Sequence, residues 1–293
     1  MKVAVTGATG LVGTALLPAL RAAGHAVLTL TRREPEGDSQ VAWDPEAGTI
    51  DAARLEGIEA IVHLAGENIG RRWSGAARKR IVSSRVDGTN LIARTAAALE
   101  SRPALVQASA VGYYGFHNPT ATESSPKGGG FAADVVEAWE EAAEPARAAG
   151  LRWVALRKAP ILARTDGVVA KMMLPFKLGV GGRVGTGRQL WSWVVLADAA
   201  RAYLHALDSE LEGPVNVVGG TTTNEEFVKA FGRALHRPTI FPLPEFAVKA
   251  MFGQMGEEYL LGGQRATSGK LEQSGFAFEH TALDAALEAA LAR

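Results

Sequence analysis

The sequence predicts an α/β fold, with a doubly wound parallel sheet followed by a smaller C-terminal α+β lobe. Through residue 160, short apolar runs alternate with segments of helical periodicity, as expected for strands joined by crossover helices. After residue 160 the predicted elements become shorter and less regular. The 293 residues suffice for one large sheet with an appended lobe, and the expected strand order is 3-2-1-4-5-6-7.

A strand, a glycine turn and a helix open the chain. The apolar residues 3–5 predict a buried strand, and from Leu11 onward apolar residues recur at helical spacing. In this context spaced glycines let the backbone approach a pyrophosphate, and the helix start offers unpaired N–H groups. The pattern therefore favours a dinucleotide site over a purely structural turn. The residues of this predicted site are Gly7, Thr9, Gly10, Leu11, Val12 and Gly13.

The second predicted strand, residues 26–30, leads into Thr31, Arg32 and Arg33. In sheets of this type the end of the second strand faces the adenosine ribose of the dinucleotide. An acidic residue there binds the 2′-hydroxyl of NAD, whereas arginine pairs with the 2′-phosphate of NADP. Arg32 and Arg33 therefore favour NADP(H), with Thr31 as a further cofactor residue, and the alternative is a solvated basic turn.

The T-G-x-x-G-x-x-G pattern that begins at Thr6 resembles that of the short-chain dehydrogenase/reductase superfamily, particularly its extended, epimerase-like branch. Other motifs resemble one uncharacterised family of atypical members, which carries a family-specific C-terminal domain. The resemblance covers essentially the whole chain. It implies a Rossmann-type NADP-binding domain over residues 1–160, completed by elements from about residues 190–220, and a substrate lobe over residues 161–293. The motifs are Trp43-Asp44, Gly66-Glu67-Asn68, Trp139-Glu140 and G-x-G-x-Q-x-x-S-W from Gly185.

The resemblance also implies cofactor and substrate contacts at later strand ends. Small residues after the strand at residues 59–64 let the backbone approach the nicotinamide half of the cofactor. His63 by itself is more typical of a satisfied strand-end histidine than of a catalytic group. The cofactor residues implied in this way are Leu64, Ala65, Gly66, Glu67, Arg85, Ser109 and Arg157.

A serine and two tyrosines follow the predicted strand at residues 104–108. Members of the extended branch have a serine-rich strand end here, and the serine hydroxyl polarises a substrate carbonyl. Ser109 fits this role, with Tyr113 and Tyr114 as further candidates lining the same cleft. The alternative is a strand-end serine with tyrosines packed at the sheet edge. Function is favoured because such sheets bind ligands at the carboxyl ends of their strands.

The acid/base pair of the superfamily, Tyr-x-x-x-Lys, is missing. It belongs on the helix predicted at residues 131–140, where alignment on Glu140 puts Ala132 and Val136 at its two positions. Two functions remain open: an NADP(H)-binding, epimerase-like oxidoreductase of unknown substrate, and a non-catalytic NADP(H)-binding regulatory or sensing protein. We expect little or no activity on ordinary alcohol, ketone and sugar-nucleotide substrates.

The composition is that of an ordinary globular enzyme, with 47% hydrophobic residues, 21% charged residues and a formal net charge of +0. This balance favours neither a nucleic-acid nor a membrane partner. The chain has no cysteine, which excludes disulfides and thiol chemistry, and its histidines lack metal-ligand spacing. We expect no metal, a cytoplasmic location and a small-molecule substrate, with a homodimer left open.

Two polar residues in the C-terminal half are predicted helix caps. Asp198 follows Trp193 in the stretch where the resembling family has Ile-His-x-x-Asp, and the histidine is absent here. Asn224 precedes a segment of helical periodicity that runs to Leu235. Both side chains are of the type that accepts a hydrogen bond from a helix N-terminus.

Overall fold

The computed structural model of the chain describes residues 1–116 and 120–292. The strands are β1 (Lys2–Thr6), β2 (Ala26–Thr31), β3 (Gln40–Asp44), β4 (Thr49–Ile50), β5 (Ala60–His63), β6 (Ala104–Ala110), β7 (Trp153–Lys158), β8 (Ile161–Leu162), β9 (Leu190–Val195), β10 (Gly213–Val217) and β11 (Gly220–Thr223). The helices are α1 (Leu11–Ala22), α2 (Gly75–Ala98), α3 (Phe131–Glu141), α4 (Glu144–Ala148), α5 (Gly167–Lys177), α6 (Leu196–Asp208), α7 (Asn224–Leu235), α8 (Glu245–Phe252), α9 (Gly269–Gln273) and α10 (Leu283–Leu291), with a π-helical turn at Gly256–Leu261.

The large sheet has the strand order β10-β7-β6-β5-β1-β2-β3-β4. Its strands are parallel except β4, which forms an antiparallel hairpin with β3 at one edge. Without β4 the order is the predicted 3-2-1-4-5-6-7, read in chain order. The predicted α/β class with a doubly wound parallel sheet is confirmed.

Alternate residues of β1 face opposite helix layers, because successive side chains in a strand point to opposite sides of the sheet. Val3 and Val5 lie in a core cluster with residues of α1 and α6. Ala4 lies in a second cluster with residues of α2 and α4. All three residues are fully buried. Helices therefore cover both faces of the sheet, which explains why its inner strands are apolar without alternation.

A second sheet, with the order β11-β9-β8, is formed after residue 160. Together with α5, α7 and α10 it encloses its own apolar cluster, in which Trp193, Phe227 and Phe231 are buried. Strand β10 returns to the large sheet and pairs with β7. The domain boundary near residue 160 stays a prediction. Among the described residues, no helix combines the length and the apolar character needed to cross a bilayer.

Neither predicted cap in this half has the expected role. Helix α7 is capped by Thr223, which forms a reciprocal capping box with Glu226, while Asn224 is buried and accepts a hydrogen bond from Val184 N–H. Asp198 lies inside the first turn of α6, whose N-cap is Val195. The prediction was wrong for both residues because their side chains accept from backbone N–H groups in distant parts of the chain, Val184 for Asn224 and Glu279 and His280 for Asp198.

The opening glycine turn is shaped by contacts within the protein. Gly7 has a φ of +67°, and a Cβ on it would lie 2.9 Å from the backbone nitrogen of Ala65. A Cβ on Gly13 would lie 2.4 Å from the carbonyl oxygen of Gly7. Both positions therefore require glycine, so that the turn can approach the end of β5 and α1 can pack on the turn.

Substitution of Gly13 by alanine is expected to destabilise the protein by about 1–3 kcal/mol, because the new Cβ meets a backbone oxygen that cannot move away without disturbing β1. The matched control is Gly75→Ala at the start of α2, where a Cβ meets nothing within 4 Å. Urea unfolding should show a loss for the first variant and none for the control. Equal stability of the two variants would contradict the packing role of Gly13.

Candidate functional site

The start of α1 offers backbone donors without acceptors. Gly10 is the N-cap and supplies no side-chain hydrogen bond. Among the described residues, none accepts from the N–H groups of Leu11, Val12 and Gly13. Thr9 and Gly10 are exposed beside them. Free N–H groups at the positive end of a helix dipole form a site suited to an anion.

Two exposed arginines lie at the end of the neighbouring strand β2. Arg32 and Arg33 form no ion pair with any described residue, and the Arg33 N–H donates to the Thr31 hydroxyl over 3.1 Å. Because β1 and β2 are adjacent and parallel, their carboxyl ends lie at the same edge of the sheet. The structure therefore brings two unpaired cations to the edge at which α1 begins.

The Thr6 hydroxyl joins the ends of β1 and β5. It accepts from the backbone N–H groups of Leu64 and Ala65 at 3.1 Å and 3.3 Å, and lies 2.8 Å from Nδ1 of His63. Burial lowers the pKa of His63 to about 4, so this imidazole is neutral at pH 7. Its Nε2 is buried without a partner among the described residues. His63 is thus a half-satisfied strand-end histidine, and the Thr6 hydroxyl fixes the path of Leu64 and Ala65.

Arg85 lies against Gly66, the residue that follows Ala65. A Cβ on Gly66 would lie 3.5 Å from Cζ of Arg85, so the side chain lies against the glycine. The guanidinium donates to the Ile81 carbonyl and lies 4.8 Å from the ring centroid of Trp139. Burial lowers the pKa of Arg85 to about 10, which still leaves it charged at pH 7. Glu67 is half-buried, and its carboxylate pairs with Arg71 at 2.7 Å.

A buried polar network lies beneath the ends of β6 and β7. The Ser109 hydroxyl donates to Glu140 Oε1 over 2.5 Å, and Arg157 donates to both carboxylate oxygens of Glu140, from Nε over 2.8 Å and from Nη2 over 2.7 Å. The third Arg157 nitrogen donates to the Tyr114 hydroxyl, which in turn donates to Oδ1 of Asn216. All five side chains are buried.

This network accounts for several of the residues singled out in the sequence. Ser109, Tyr114 and Arg157 lie together, but their polar groups are already bonded to protein groups. Tyr113 is half-buried, with its ring 3.6 Å from Cζ of Arg157. Burial raises the pKa of Tyr114, and the neighbouring Arg157 offsets this only in part. The catalytic roles of Ser109, Tyr113 and Tyr114, and cofactor binding by Arg157, stay predictions.

The structure adds Lys158, which the sequence patterns did not single out. Its ammonium donates to the Ser109 carbonyl over 3.1 Å and to the Tyr203 hydroxyl over 3.0 Å. Burial, with a contribution from the charge of Arg85, lowers its pKa to about 7. Lys158 follows Arg157 at the end of β7, and no sequence motif marks it as a partner of Ser109 on another strand.

Tyr259 is a second residue of the candidate site that the sequence patterns did not single out. It lies in the π-helical turn Gly256–Leu261, and its hydroxyl approaches the end of β6 beside α3. Burial raises its pKa to about 12, and the positive charge of Arg85 acts in the opposite direction. Only the tertiary structure brings this residue, about 150 positions away in the chain, next to Gly112.

Among the described residues, one group has potential metal-ligating atoms that lie close together: Asp198, Glu279 and His280. The Asp198 carboxylate already accepts from the backbone N–H groups of Glu279 and His280, both at 3.0 Å, and from Arg201 at 2.7 Å. It is fully buried. These bonds give the group a structural explanation: it fastens the segment before α10 to α6.

Comparison with known proteins is consistent with this geometry. The sequence profile of the NAD dependent epimerase/dehydratase family matches residues 3–219. The chain belongs to that family. A second profile, a domain of unknown function called DUF1731, matches residues 243–290, which include Tyr259. The resemblance inferred from the glycine turn and the later motifs is therefore confirmed.

The relatives match over the full length of the chain. An epimerase family protein of Mycobacterium bovis is 42% identical over 295 residues, which is 99% of this chain and 98% of the relative. The crystal structure of the human epimerase family protein SDR39U1, determined with NADPH, has a TM-score of 0.89 and 34% identity, covering 99% of each chain. A nucleoside-diphosphate sugar epimerase from Corynebacterium glutamicum has a TM-score of 0.82 and 31% identity, covering 99% of this chain and 58% of the other.

Lys158 leads to a prediction for stability as a function of pH. Below pH 7 the native state carries the full cost of burying the ammonium. Between pH 7 and 10.5 the native state loses this proton while the unfolded state keeps it, so the cost falls as pH rises. The free energy of unfolding that Lys158→Met gains over the unsubstituted protein should therefore be larger at pH 6 than at pH 10. The gains at the two pH values should differ by about 1 kcal/mol or more.

The measurement is urea unfolding of both proteins at the two pH values. Lys127→Met is the matched control, because hydrogen bonds to Asp134 and Glu137 raise the pKa of Lys127 and keep it charged throughout this range. Its stability difference should not vary between pH 6 and pH 10. If the stability difference between Lys158→Met and the unsubstituted protein also stays constant from pH 6 to pH 10, Lys158 titrates normally.

Proposed function

We propose that this chain is an NADP(H)-binding, epimerase-like oxidoreductase acting on a small molecule that carries a carbonyl or alcohol group. The observation that carries the proposal is the pair of exposed, unpaired arginines, Arg32 and Arg33, beside the uncapped start of α1. Human SDR39U1, with 34% identity over nearly the whole chain, was crystallised with NADPH and supports the same choice of cofactor.

The residues present fit such a cofactor along one edge of the sheet. The free N–H groups at the start of α1 suit the pyrophosphate, and Arg32 and Arg33 suit a 2′-phosphate. The backbone at Gly66 and the Arg85 guanidinium lie at the end of β5, where they suit the nicotinamide half. When bound, the cofactor supplies or accepts a hydride. The proposed contacts are Gly7, Thr9, Gly10, Leu11, Val12, Gly13, Thr31, Arg32, Arg33, Leu64, Ala65, Gly66, Glu67, Arg85, Ser109 and Arg157.

On the substrate side, we propose that Ser109, Tyr113 and Tyr114 form the wall of the cleft. Tyr113 is the most accessible of the three, since Ser109 and Tyr114 are each 1% exposed. Hydroxyl groups held by a fixed network orient a carbonyl without having to reorganise during the reaction. The substrate itself, a homodimer and a cytoplasmic location stay predictions.

The second candidate function is a non-catalytic NADP(H)-binding regulatory or sensing protein. It is favoured by the alanine and valine at positions 132 and 136 of α3, where the superfamily places its acid/base pair. Incubation with NADPH and a panel of aldehydes, dicarbonyls and sugar nucleotides separates the two functions. NADPH oxidation that depends on one of these compounds supports the oxidoreductase, and tight binding without any turnover supports the sensor.

The preference for NADPH over NADH should depend on Arg32. A charge-assisted contact with a phosphate stabilises binding by about 1.5–3 kcal/mol, so the chain should prefer NADPH by about tenfold or more, and Arg32→Ala should lose most of this preference. Fluorescence titration with both cofactors measures it. Arg21→Ala, which removes an exposed arginine from the far end of α1, is the control and should keep the preference. Equal affinities for the two cofactors in the unsubstituted protein would refute the assignment.

A further inference from the structure

Helix α3 carries short apolar side chains at the two positions where the superfamily has its acid/base pair. Ala132 and Val136 are buried and face the turn that follows β6. A Cβ placed on Gly112 would lie 3.6 Å from Cβ of Ala132 and 3.8 Å from Cγ2 of Val136. The same point lies 3.4 Å from the Tyr259 hydroxyl. The hydroxyl of Tyr259, a residue distant in the chain, therefore lies close to Ala132 and Val136.

The C-terminal segment is fastened to the start of α3 by Glu258, the residue before Tyr259. Its carboxylate oxygens accept from the backbone N–H groups of Phe131 and Ala132, each at 3.0 Å. This is a helix cap delivered from another part of the chain, and the negative charge suits the N-terminal end of the helix dipole. Gly130 has a φ of +103°, and a Cβ there would lie only 2.9 Å from the Glu258 carboxylate. Glycine at position 130 therefore leaves room for the Glu258 carboxylate.

The ring of Tyr259 is held by aromatic contacts, while its hydroxyl is left without a protein partner. Its centroid lies 4.5 Å from that of Phe116 and 5.9 Å from that of Trp73. Among residues 1–116 and 120–292, none forms a hydrogen bond with the hydroxyl. Of the other three tyrosines, Tyr114 bonds to Asn216 and Arg157 and Tyr203 bonds to Lys158, while the half-buried Tyr113 has no hydroxyl partner among the described residues either. Tyr259 thus presents a fixed, unused proton donor.

A cation accompanies this phenol. Arg85 is close enough for its charge to oppose the rise that burial causes in the pKa of Tyr259, and it remains charged at pH 7. In the missing pair a lysine has this role, holding a positive charge beside the phenol. Arg85 reaches α3 from α2, since its guanidinium carbon lies 4.8 Å from the ring centroid of Trp139, three residues after Val136.

We propose that Tyr259 is the catalytic proton donor of this site, replacing the tyrosine missing from α3, and that Arg85 is the cation that stabilises its deprotonated form. The inference rests on the proposed oxidoreductase function and adds to it the residue that moves the proton. It also gives the DUF1731 segment a catalytic role, because that segment supplies Tyr259 and anchors it through Glu258.

The reaction balances with reduced NADP(H) as the co-reactant. The substrate carbonyl carbon accepts a hydride from NADPH, and its oxygen takes the proton of Tyr259 Oη, so that the C=O double bond becomes an alcohol and the cofactor leaves as NADP⁺. The Tyr259 oxygen, then negative, regains a proton from water. At pH 7 Tyr259 is protonated, as a donor must be, since even an unperturbed tyrosine has a pKa of about 10 and burial raises that of Tyr259 to about 12.

The test uses the full chain labelled with 3-fluorotyrosine, whose four tyrosines give four fluorine resonances. Single Tyr→Phe variants assign them. Addition of NADPH or NADP⁺ should shift the Tyr259 resonance, whereas that of Tyr203, which lies on α6, is the internal reference and should move least. The alkaline titration midpoint of Tyr259 should be lower with NADP⁺ than with NADPH by about one pH unit, because only the oxidised nicotinamide carries a positive charge.

A kinetic arm compares Tyr259→Phe with the unsubstituted protein. The variant keeps the ring that packs on Phe116 and Trp73, so its stability and its Kd for NADPH should stay within about twofold. On any carbonyl compound of the panel that the unsubstituted protein reduces, kcat should fall about a hundredfold or more, the usual contribution of a proton donor. Arg85→Lys, which keeps a positive charge, should retain more activity than Arg85→Met.

The outcomes separate this inference from the proposed function. If the unsubstituted protein binds no NADPH, or binds it and reduces no compound of the panel, the proposed oxidoreductase is refuted and the role of Tyr259 with it. If NADPH binds and a carbonyl is reduced, but the Tyr259 resonance does not respond or Tyr259→Phe keeps its kcat, the inference alone is overturned.

Discussion

The carboxyl ends of β6 and β7 are joined to α3 by the buried ion pair between Glu140 and Arg157. The two side chains come from α3 and β7, and their bonds extend to Ser109 on β6 and, through Tyr114, to Asn216 on β10. A charge pair excluded from water is tolerated only when further hydrogen bonds satisfy its remaining donors and acceptors, and here Ser109 and Tyr114 provide them. Removal of one partner would leave an uncompensated charge in the core. The network thus holds three strands and α3 in one arrangement at the edge where ligands bind.

The C-terminal segment completes this edge. Glu258 caps α3, Gln264 donates to the carbonyls of Val111 and Gly115, and Gly263 N–H donates to the Phe116 carbonyl over 2.7 Å. These bonds fix the segment on the turn that follows β6. The large sheet therefore supplies the dinucleotide edge, and the DUF1731 segment covers the start of α3.

The sequence was sufficient for the features that depend on local pattern. Spaced glycines, the apolar run in β1 and the arginines after β2 are short-range signals, and they predicted the fold class, the strand order and the candidate cofactor residues. The pattern also showed what α3 lacks, since Ala132 and Val136 are visible without a structure. It misassigned Asp198 and Asn224 as caps, because cap-type residues are also used for long-range bonds when they become buried.

Sequence by itself therefore determined the architecture and the edge of the sheet that binds a ligand, because strand and helix periodicities and turn glycines act over a few residues. Only the tertiary structure decided which side chains meet at that edge. Lys158 on β7 bonds to the Ser109 carbonyl on the neighbouring strand β6, and Tyr259 reaches Gly112 from the C-terminal segment. Such contacts follow from the packing of elements that are distant in sequence, and no local pattern records the partner that a side chain will find.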